Sequence, residues 1–220
     1  YTRKGGGSGF YTEYLDDMNQ YAELQTTSNF SFLRGAAHPE ELVTCAAEQN
    51  LKAIAITDHN TLAGVVRAHL TAREMNIKLI IGARLNFTDA PSLLCLPTNQ
   101  DAYSRLSQLI TLGRRRAPKG ECHIKINDFL NQADKQIVIS LAPYDVDPNY
   151  LNHLHKLCRA LPHHCFLAGQ NLMTGGHQRY LAALAAIAEQ ENIPLVATND
   201  VYYHIASRRE VQDALTSVHK

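Results

Sequence analysis

The sequence predicts an α/β domain in which parallel strands, joined by crossover helices, close into a barrel. Three observations carry this reading. From residue 21 onward short apolar runs alternate with amphipathic stretches, the order expected of strands and the helices that return between them. Several runs, LKAIAITD at 51–58 above all, are apolar almost without interruption, as strands covered on both faces must be. Six or seven such strands with intervening helices in 220 residues suit a barrel better than any other architecture of this length.

Residues 21–26 read as the first strand. A helix over 38–49 follows, opened by HPEE: the proline sits where its missing N–H costs nothing, and two acids stand at the positive end of the helix dipole. The strand at 51–58 ends in polar residues. A helix over 61–76 carries small and apolar side chains at helical spacing (Leu62, Val65, Val66, Ala68, Leu70), and KLIIGARLNF at 78–87 returns as a strand. SLLCLP at 92–97 adds a hairpin-like partner, and 101–116 forms a helix with a basic tail. A loop containing Pro and Gly at 117–120 leads to a helical turn at 126–132. IVISLA at 137–142 is a strand, 148–161 a histidine-rich helix, CFLAGQ at 165–170 a strand, and 179–191 an alanine-rich amphipathic helix. IPLVATND at 193–200 is the last strand, and 207–219 the closing helix.

No internal repeat or low-complexity tract interrupts this order, so residues 21–220 read as one domain. Residues 1–20, beginning YTRKGGGSG, read as a linker or remnant with a short lead-in. TSVHK closes the last helix without a capping glycine, as expected of a domain truncated on its C-terminal side.

Composition narrows the function classes. With 45% hydrophobic and 19% charged residues the chain is globular rather than disordered. Lys plus Arg and Asp plus Glu number 21 each, so no overall positive field draws a polyanion. No apolar run approaches the roughly 18 residues of a membrane span. The five cysteines form an odd set without a CxxC pair, for which a reducing cytoplasm is the default reading.

In a parallel α/β fold the chemistry collects at the carboxyl ends of the strands. Those ends present Gln25 and Thr27, then Asp58 and His59, then Arg84, Tyr144 or Asp145, Gln170 and Asn171, and finally Asp200, Tyr202 and His204. The adjacent carboxylate and imidazole of ITDH can bind a divalent metal or share a proton. Asp58 can equally cap the turn over 60–64, with His59 exposed. Asp200 is either a ligand or a turn former. His153 and His155 lie two apart in a helix and so face different sides, which argues against a joint metal site with His163 and His164. RRR at 114–116, with APKG and Lys125, can contact phosphate or simply favour the negative end of its helix.

The stretch YAELQTTSNFSFLRGAAHPEELVTCAAEQNLKAIAITDHNTLAGVVRAH at 21–69 resembles the opening of the polymerase-and-histidinol-phosphatase (PHP) domain at the N-terminus of bacterial C-family DNA polymerases. SNFSFLRGA with HPEELV, and AITD with LAGVVRAH, are most similar to the error-prone branch rather than the main replicative alpha subunit. LITLGRRRAPKG at 109–120 and IPLVATNDVYYHIASRREVQDAL at 193–215 extend the resemblance toward the last residue.

That resemblance implies a distorted seven-stranded (β/α)7 TIM-like barrel. In active members its mouth holds up to three divalent metals, bound by an HxH pair, an Asp-His, a Glu, later histidines and a final DxH. Such a cluster polarises a phosphoester and activates water. Here Gln25 and Thr27 stand at the HxH positions, Arg34 replaces an acid before Gly35, Arg84 occupies the glutamate position and Tyr202 that of the last histidine. LAPYD at 141–145 and GQNL at 169–172 offer no histidine. Asp58, His59 and Asp200 remain, with His204 a nearby substitute.

The resemblance therefore implies a degenerate site. Arg84 is expected to pair with Asp58 or Asp200 in place of a metal, so that no cofactor is tightly bound. At most one divalent ion (Zn, Mn or Mg) is held weakly through the surviving ligands. No residue of the chain is assigned a catalytic role. The implied function is the N-terminal module of a lesion-bypass DNA polymerase in the bacterial cytoplasm. It would support the palm and thumb, which perform nucleotidyl transfer with two Mg²⁺, and reach DNA through the parent enzyme. Accessory mutagenesis proteins or a sliding clamp are further expected partners. Two competing readings are a working metal-dependent phosphoesterase, whether a proofreading 3′–5′ exonuclease or a small phosphatase, and a free-standing degenerate phosphatase homologue.

Overall fold

The structure, a computed structural model of the chain, describes residues 21–170 and 176–219. The expected linker at 1–20 and the strand-end residue Asn171 lie outside the described residues. Strand β1 (Ala22–Glu23) pairs in parallel with β2 (Ala53–Ile56), and β2 in parallel with β3 (Lys78–Ile81). A second sheet runs in the order β4 (Ala83–Leu85), β5 (Leu93–Pro97), β6 (Gln136–Ser140), β7 (Cys165–Gln170) and β8 (Leu195–Thr198). The helices between them are α1 (Pro39–Glu48), α2 (Val65–Glu74), α3 (Gln100–Arg116), α4 (Ile126–Leu130), α5 (Pro148–Ala160) and α6 (His177–Gln190). A 3-10 turn (Ala206–Arg208) leads into α7 (Arg209–His219).

Backbone hydrogen bonds join the two sheets along both seams. At one, Gly82 N–H donates to Ile56 O at 3.2 Å, Arg84 N–H to Asp58 O at 3.0 Å, and Asn60 N–H to Arg84 O at 2.9 Å. At the other, Thr27 N–H donates to Val201 O and Val201 N–H to Gln25 O, both at 2.8 Å. Both seams lie at or beyond the carboxyl ends of parallel strands, so the ring is fastened at the end where the candidate site residues stand. At the opposite end a cavity of about 800 Å³ is apolar, lined by Leu24, Leu79, Leu96, Ile137 and Phe166.

Three departures from the sequence reading stand out. The single strand expected over 78–87 breaks at Gly82 into β3 and β4. A Cβ there would lie 2.4 Å from Leu96 Cδ2 and 2.9 Å from Cys95 O, so the chain passes β5 too closely for any side chain. The strands are also not all parallel: β5 runs antiparallel to both β4 and β6. The connection at 86–92 is too short for the crossover that a parallel return would need. Helix α2 begins at Val65 rather than near 61, after a turn that follows the left-handed backbone of Asn60 (φ 49°).

Burial follows the strand period. Ile54 and Ile56 pack outward against Leu42, Val43, Ala68 and Ala72, whereas Ala55 faces inward with Leu94, Leu96, Ile139 and Ala168. Leu93, Cys95, Val138 and Leu167 face the outer helices, meeting Leu106, Leu109, Phe129, Tyr150, Leu154 and Leu184. Both faces are covered, which is why the strands read as continuous apolar runs. Helix α1 starts as its sequence dictates: Pro39 occupies the first turn, and Glu41 Oε2 accepts from the His38 backbone N–H at 2.8 Å.

Candidate functional site

Asp58 follows β2 by two residues and is 1% exposed. Its Oδ1 accepts from Ser28 N–H at 2.8 Å and from Ser31 Oγ–H at 2.6 Å, and its Oδ2 accepts from Ser28 Oγ–H at 2.7 Å. The serines are themselves held: Ser31 Oγ accepts from His59 N–H at 2.9 Å and Ser28 Oγ from Phe30 N–H at 3.2 Å. Burial raises the Asp58 pKa above the ordinary carboxyl value, against the opposing pull of the serine donors. These partners sit in the loop after β1, not in the 60–64 turn offered by the sequence as the segment Asp58 would cap. Ser28 and Ser31 were missed as partners of Asp58. Their only sequence signal is a pair of hydroxyls three apart in SNFS, directly after the first strand.

His59 is not simply exposed. Its Nδ1 lies 2.8 Å from Asn86 Nδ2, and because an amide nitrogen only donates, Nδ1 accepts. A neutral His59 therefore carries its proton on Nε2. Asn86 is fixed in turn by a reciprocal pair with Asn60: its backbone N–H donates to Asn60 Oδ1 at 2.9 Å, and its carbonyl accepts from Asn60 Nδ2 at 3.2 Å.

Arg84 Nη1 stands 3.5 Å from Asp200 Oδ1, with both side chains about one-fifth exposed (20% and 21%). Asp200 Oδ2 accepts from Tyr202 Oη–H at 3.2 Å. Burial, and then the Asp200 charge, push the Tyr202 phenol upward. Of the two carboxylates expected for Arg84, the structure thus provides Asp200 and gives Asp58 to the serines. The Arg84 bond is long and partly wet, so Arg84→Gln is expected to cost only about 1 kcal/mol. A urea titration should show a lower midpoint at unchanged slope.

Gln25 and Thr27 are both 1% exposed. Gln25 Oε1 accepts from Gln170 Nε2 at 2.7 Å, which leaves Gln25 Nε2 and Thr27 Oγ1 buried without a hydrogen-bond partner among the described residues. The carbonyl of Arg34 accepts from Gln212 Nε2 at 2.7 Å, and its charge acts on Tyr202. His204, the nearby substitute among the candidate ligands, lies away from the cavity that holds Arg84 and Asp200. Its Nδ1 faces Glu41 Oε2 at 3.9 Å, and it lines a separate cavity with Glu23, Cys45 and Tyr203. Glu41, in the first turn of α1, is paired with Arg208 at 2.8 Å.

The mouth encloses about 670 Å³, lined in part by Arg84, Asp200, Gln170, His153, Asp147 and Tyr150. Asp147 is committed as the cap of α5, accepting from Tyr150 N–H at 2.7 Å. His153 lines this cavity, whereas His155 turns away to Glu191 Oε2 at 2.7 Å, the divergence that their spacing requires. Tyr144 stacks on Tyr180, and Asp145 is exposed. The basic end of α3 is engaged internally: Arg114 Nη2 donates to Asn60 O at 3.0 Å and Arg116 pairs with Asp128.

A cluster of divalent cations needs several anionic or imidazole donors converging on one point. Here both oxygens of Asp58 are taken by hydrogen-bond donors, a guanidinium lies against Asp200, and the Gln25 oxygen is occupied by Gln170. Among the described residues no group of three or more His, Cys, Asp or Glu side chains is placed to hold a metal. The donor set does not fit a multinuclear metal centre.

A family model described as PHP domain matches residues 23–195. The error-prone DNA polymerase of Caulobacter vibrioides is 44% identical over 199 residues, covering 90% of this chain and 18% of that protein. Those of Brucella abortus (42% over 207 residues, 91% and 19%) and Ruegeria pomeroyi (39% over 234 residues, 89% and 21%) are similar in the same way. The chain therefore spans about a fifth of the length of these relatives. Among solved structures, a candidate metal-dependent phosphoesterase from Bifidobacterium adolescentis superposes with a TM-score of 0.61 at 13% identity, covering 89% of this chain and 96% of that one. An amidohydrolase from Chromobacterium violaceum, solved with sulfate and no metal, gives 0.60 at 13% identity, covering 82% and 87%. At such identity the likeness concerns the fold, a TIM-like α/β architecture. No helix among the described residues is long and apolar enough to cross a membrane.

Proposed function

The chain belongs to the PHP domain family, and from that membership we propose that it is the N-terminal domain of an error-prone DNA polymerase, acting within the parent enzyme as a structural and interaction module. The observation that carries this reading is identity of 44% over 90% of the chain, confined to 18% of a relative's length. In this reading residues 21–220 are the domain, and β3 with β4 are two halves of one stave broken at Gly82, which makes seven staves. Nucleotidyl transfer belongs to a palm outside this chain. The domain supports palm and thumb and offers a docking surface for accessory mutagenesis proteins or a sliding clamp, in lesion bypass and DNA repair in the bacterial cytoplasm.

The barrel mouth supports a role without hydrolysis. A phosphoesterase needs cations to bind the phosphoryl oxygens and lower the pKa of an attacking water. Asp58, His59, Arg84 and Asp200 instead bond to other groups of the protein. Purified chain incubated with Mn²⁺ or Zn²⁺ is expected to leave single-stranded DNA and an aryl phosphate uncleaved. Hydrolysis that survives repurification and vanishes in His59→Ala would establish an active phosphoesterase instead. The polymerase assignment is tested separately by the reading frame past Lys220. It should run on into a palm with paired aspartates, and a nearby stop codon would sink it.

A further inference from the structure

Two thiols meet where α5 returns to the sheet. Cys158 Sγ, in the last turn of α5, lies 3.1 Å from Cys165 Sγ, the first residue of β7. Both are free thiols. The connection at 161–164 holds them together by turning through His163 in a left-handed backbone (φ 68°). Cys165 is 6% exposed, while Cys158 is only partly buried and lines a surface cavity with His155, Arg159 and Glu191.

The remaining cysteines lack this arrangement. Cys95 is fully buried and bonds to Gln136 Oε1, Cys45 donates to His204 O, and Cys122 to Ile110 O. A metal at the pair is disfavoured as well. His155 lines the same surface cavity as Cys158, but its Nε2 is engaged by Glu191 Oε2 at 2.7 Å, and no group of three donors is placed to hold an ion among the described residues. What the geometry offers is two sulfurs, one reachable from solvent and one behind it.

We propose that Cys158 and Cys165 form an oxidation site at which a hydroperoxide converts the dithiol into an intramolecular disulfide. The Cys158 thiolate attacks the O–O bond, giving a sulfenic acid and releasing an alcohol or water. The Cys165 thiol then attacks the sulfenic sulfur, loses its proton and expels hydroxide, which leaves as water. Two thiols are oxidised by two electrons and one peroxide bond is reduced. Closing the S–S bond requires the sulfurs to approach by about 1 Å, which side-chain rotation and the short loop can supply. The sulfur–sulfur hydrogen bond lowers the Cys158 pKa and raises that of Cys165, a division that suits attacking and resolving thiols.

The intact chain is treated with hydrogen peroxide, quenched with N-ethylmaleimide and digested with trypsin. Cleavage after Lys156, Arg159 and Arg179 places the two sulfurs in different peptides, 157–159 and 160–179. The expected product is these two peptides joined, lighter by two hydrogens than their sum, and separated again by dithiothreitol. Cys158→Ser should abolish the linkage without disturbing the buried core. Cys165→Ala should leave a sulfenic acid at Cys158 that dimedone traps. Recovery of both peptides alkylated and unlinked, with oxidation found at Cys45 or Cys122, overturns the proposal. So does a linkage of either cysteine to any other thiol in the chain.

Discussion

Asp58→Ala is expected to lower the free energy of unfolding by about 4 kcal/mol, among the largest effects of any single substitution in the barrel mouth. The truncation leaves three donors facing a void: Ser28 N–H, Ser28 Oγ–H and Ser31 Oγ–H. Each unsatisfied buried donor costs about 1–3 kcal/mol. The hydroxyls can rotate away, but Ser28 N–H cannot, because the backbone on either side is pinned by Thr27 N–H to Val201 O and by Asn29 N–H to Ala37 O, both at 2.8 Å. Relief from burying a charge offsets part of the loss, which keeps the total below the sum of the three. Asp58→Asn separates charge from hydrogen bonding. It keeps an acceptor for Ser28 N–H and Ser31 Oγ–H, turns an amide toward Ser28 Oγ, and should cost only about 1 kcal/mol. Chemical denaturation of the three proteins at one pH checks the order; a loss in Asp58→Ala no greater than in Asp58→Asn would show that the serine bonds carry no weight.

The same pair of proteins reports the titration of Asp58. Its folded-state pKa is raised by burial, so between the ordinary carboxyl value and the raised one the folded protein binds more protons than the unfolded chain. The stabilising contribution is fully present below the unfolded pKa and is lost as pH rises through the folded one. Asp58→Asn removes this dependence. Its disadvantage relative to the parent should shrink as pH rises from the acid side, the opposite of what a carboxylate with a depressed pKa would give. Glu41 and Asp128, whose pKa values are lowered, affect both proteins equally and cancel in the difference.

How much of this was legible depended on whether the deciding partner was local. Helix α1 could be read because Pro39 and Glu41 act within one turn of His38. The break at Gly82 could not, since KLIIGARLNF is apolar on both sides of it and the obstruction comes from Leu96 and Cys95 on a later strand. The antiparallel β5 was half legible, through the shortness of its hairpin connection. In the mouth, strand ends place Asp58, Arg84 and Asp200 near one another by topology. Nothing in ITDH shows that Asp58 binds hydroxyls some 30 residues earlier in the chain rather than the turn beside it. The position of His204 was illegible for a similar reason: its neighbour Glu41 belongs to a helix more than 150 residues upstream.

Gly35→Ala is expected to cost about 3 kcal/mol or more, although it adds a single methyl group to a residue with no special backbone angle. A Cβ at position 35 would lie 2.4 Å from Ser28 O, 2.5 Å from Ser28 C and 2.5 Å from Thr27 O. All three are backbone atoms, so no side-chain rotation relieves the clash. One of the two strands of this crossing must move. Displacing Ser28 stretches its bonds to both oxygens of Asp58, and displacing Thr27 opens the seam at Val201. Gly169→Ala is the contrasting case. Its nearest neighbours would stand at 3.8 Å, ordinary contact, so the substitution should be neutral or stabilise by up to about 1 kcal/mol through the unfolded chain. If the position 35 effect runs through Ser28, combining Gly35→Ala with Asp58→Asn must be less damaging than the sum, by about 1 kcal/mol, because the two changes disturb the same bonds. Strict additivity would place the strain at the Val201 seam instead, and the barrel mouth would then owe its shape to sheet closure rather than to the buried carboxylate.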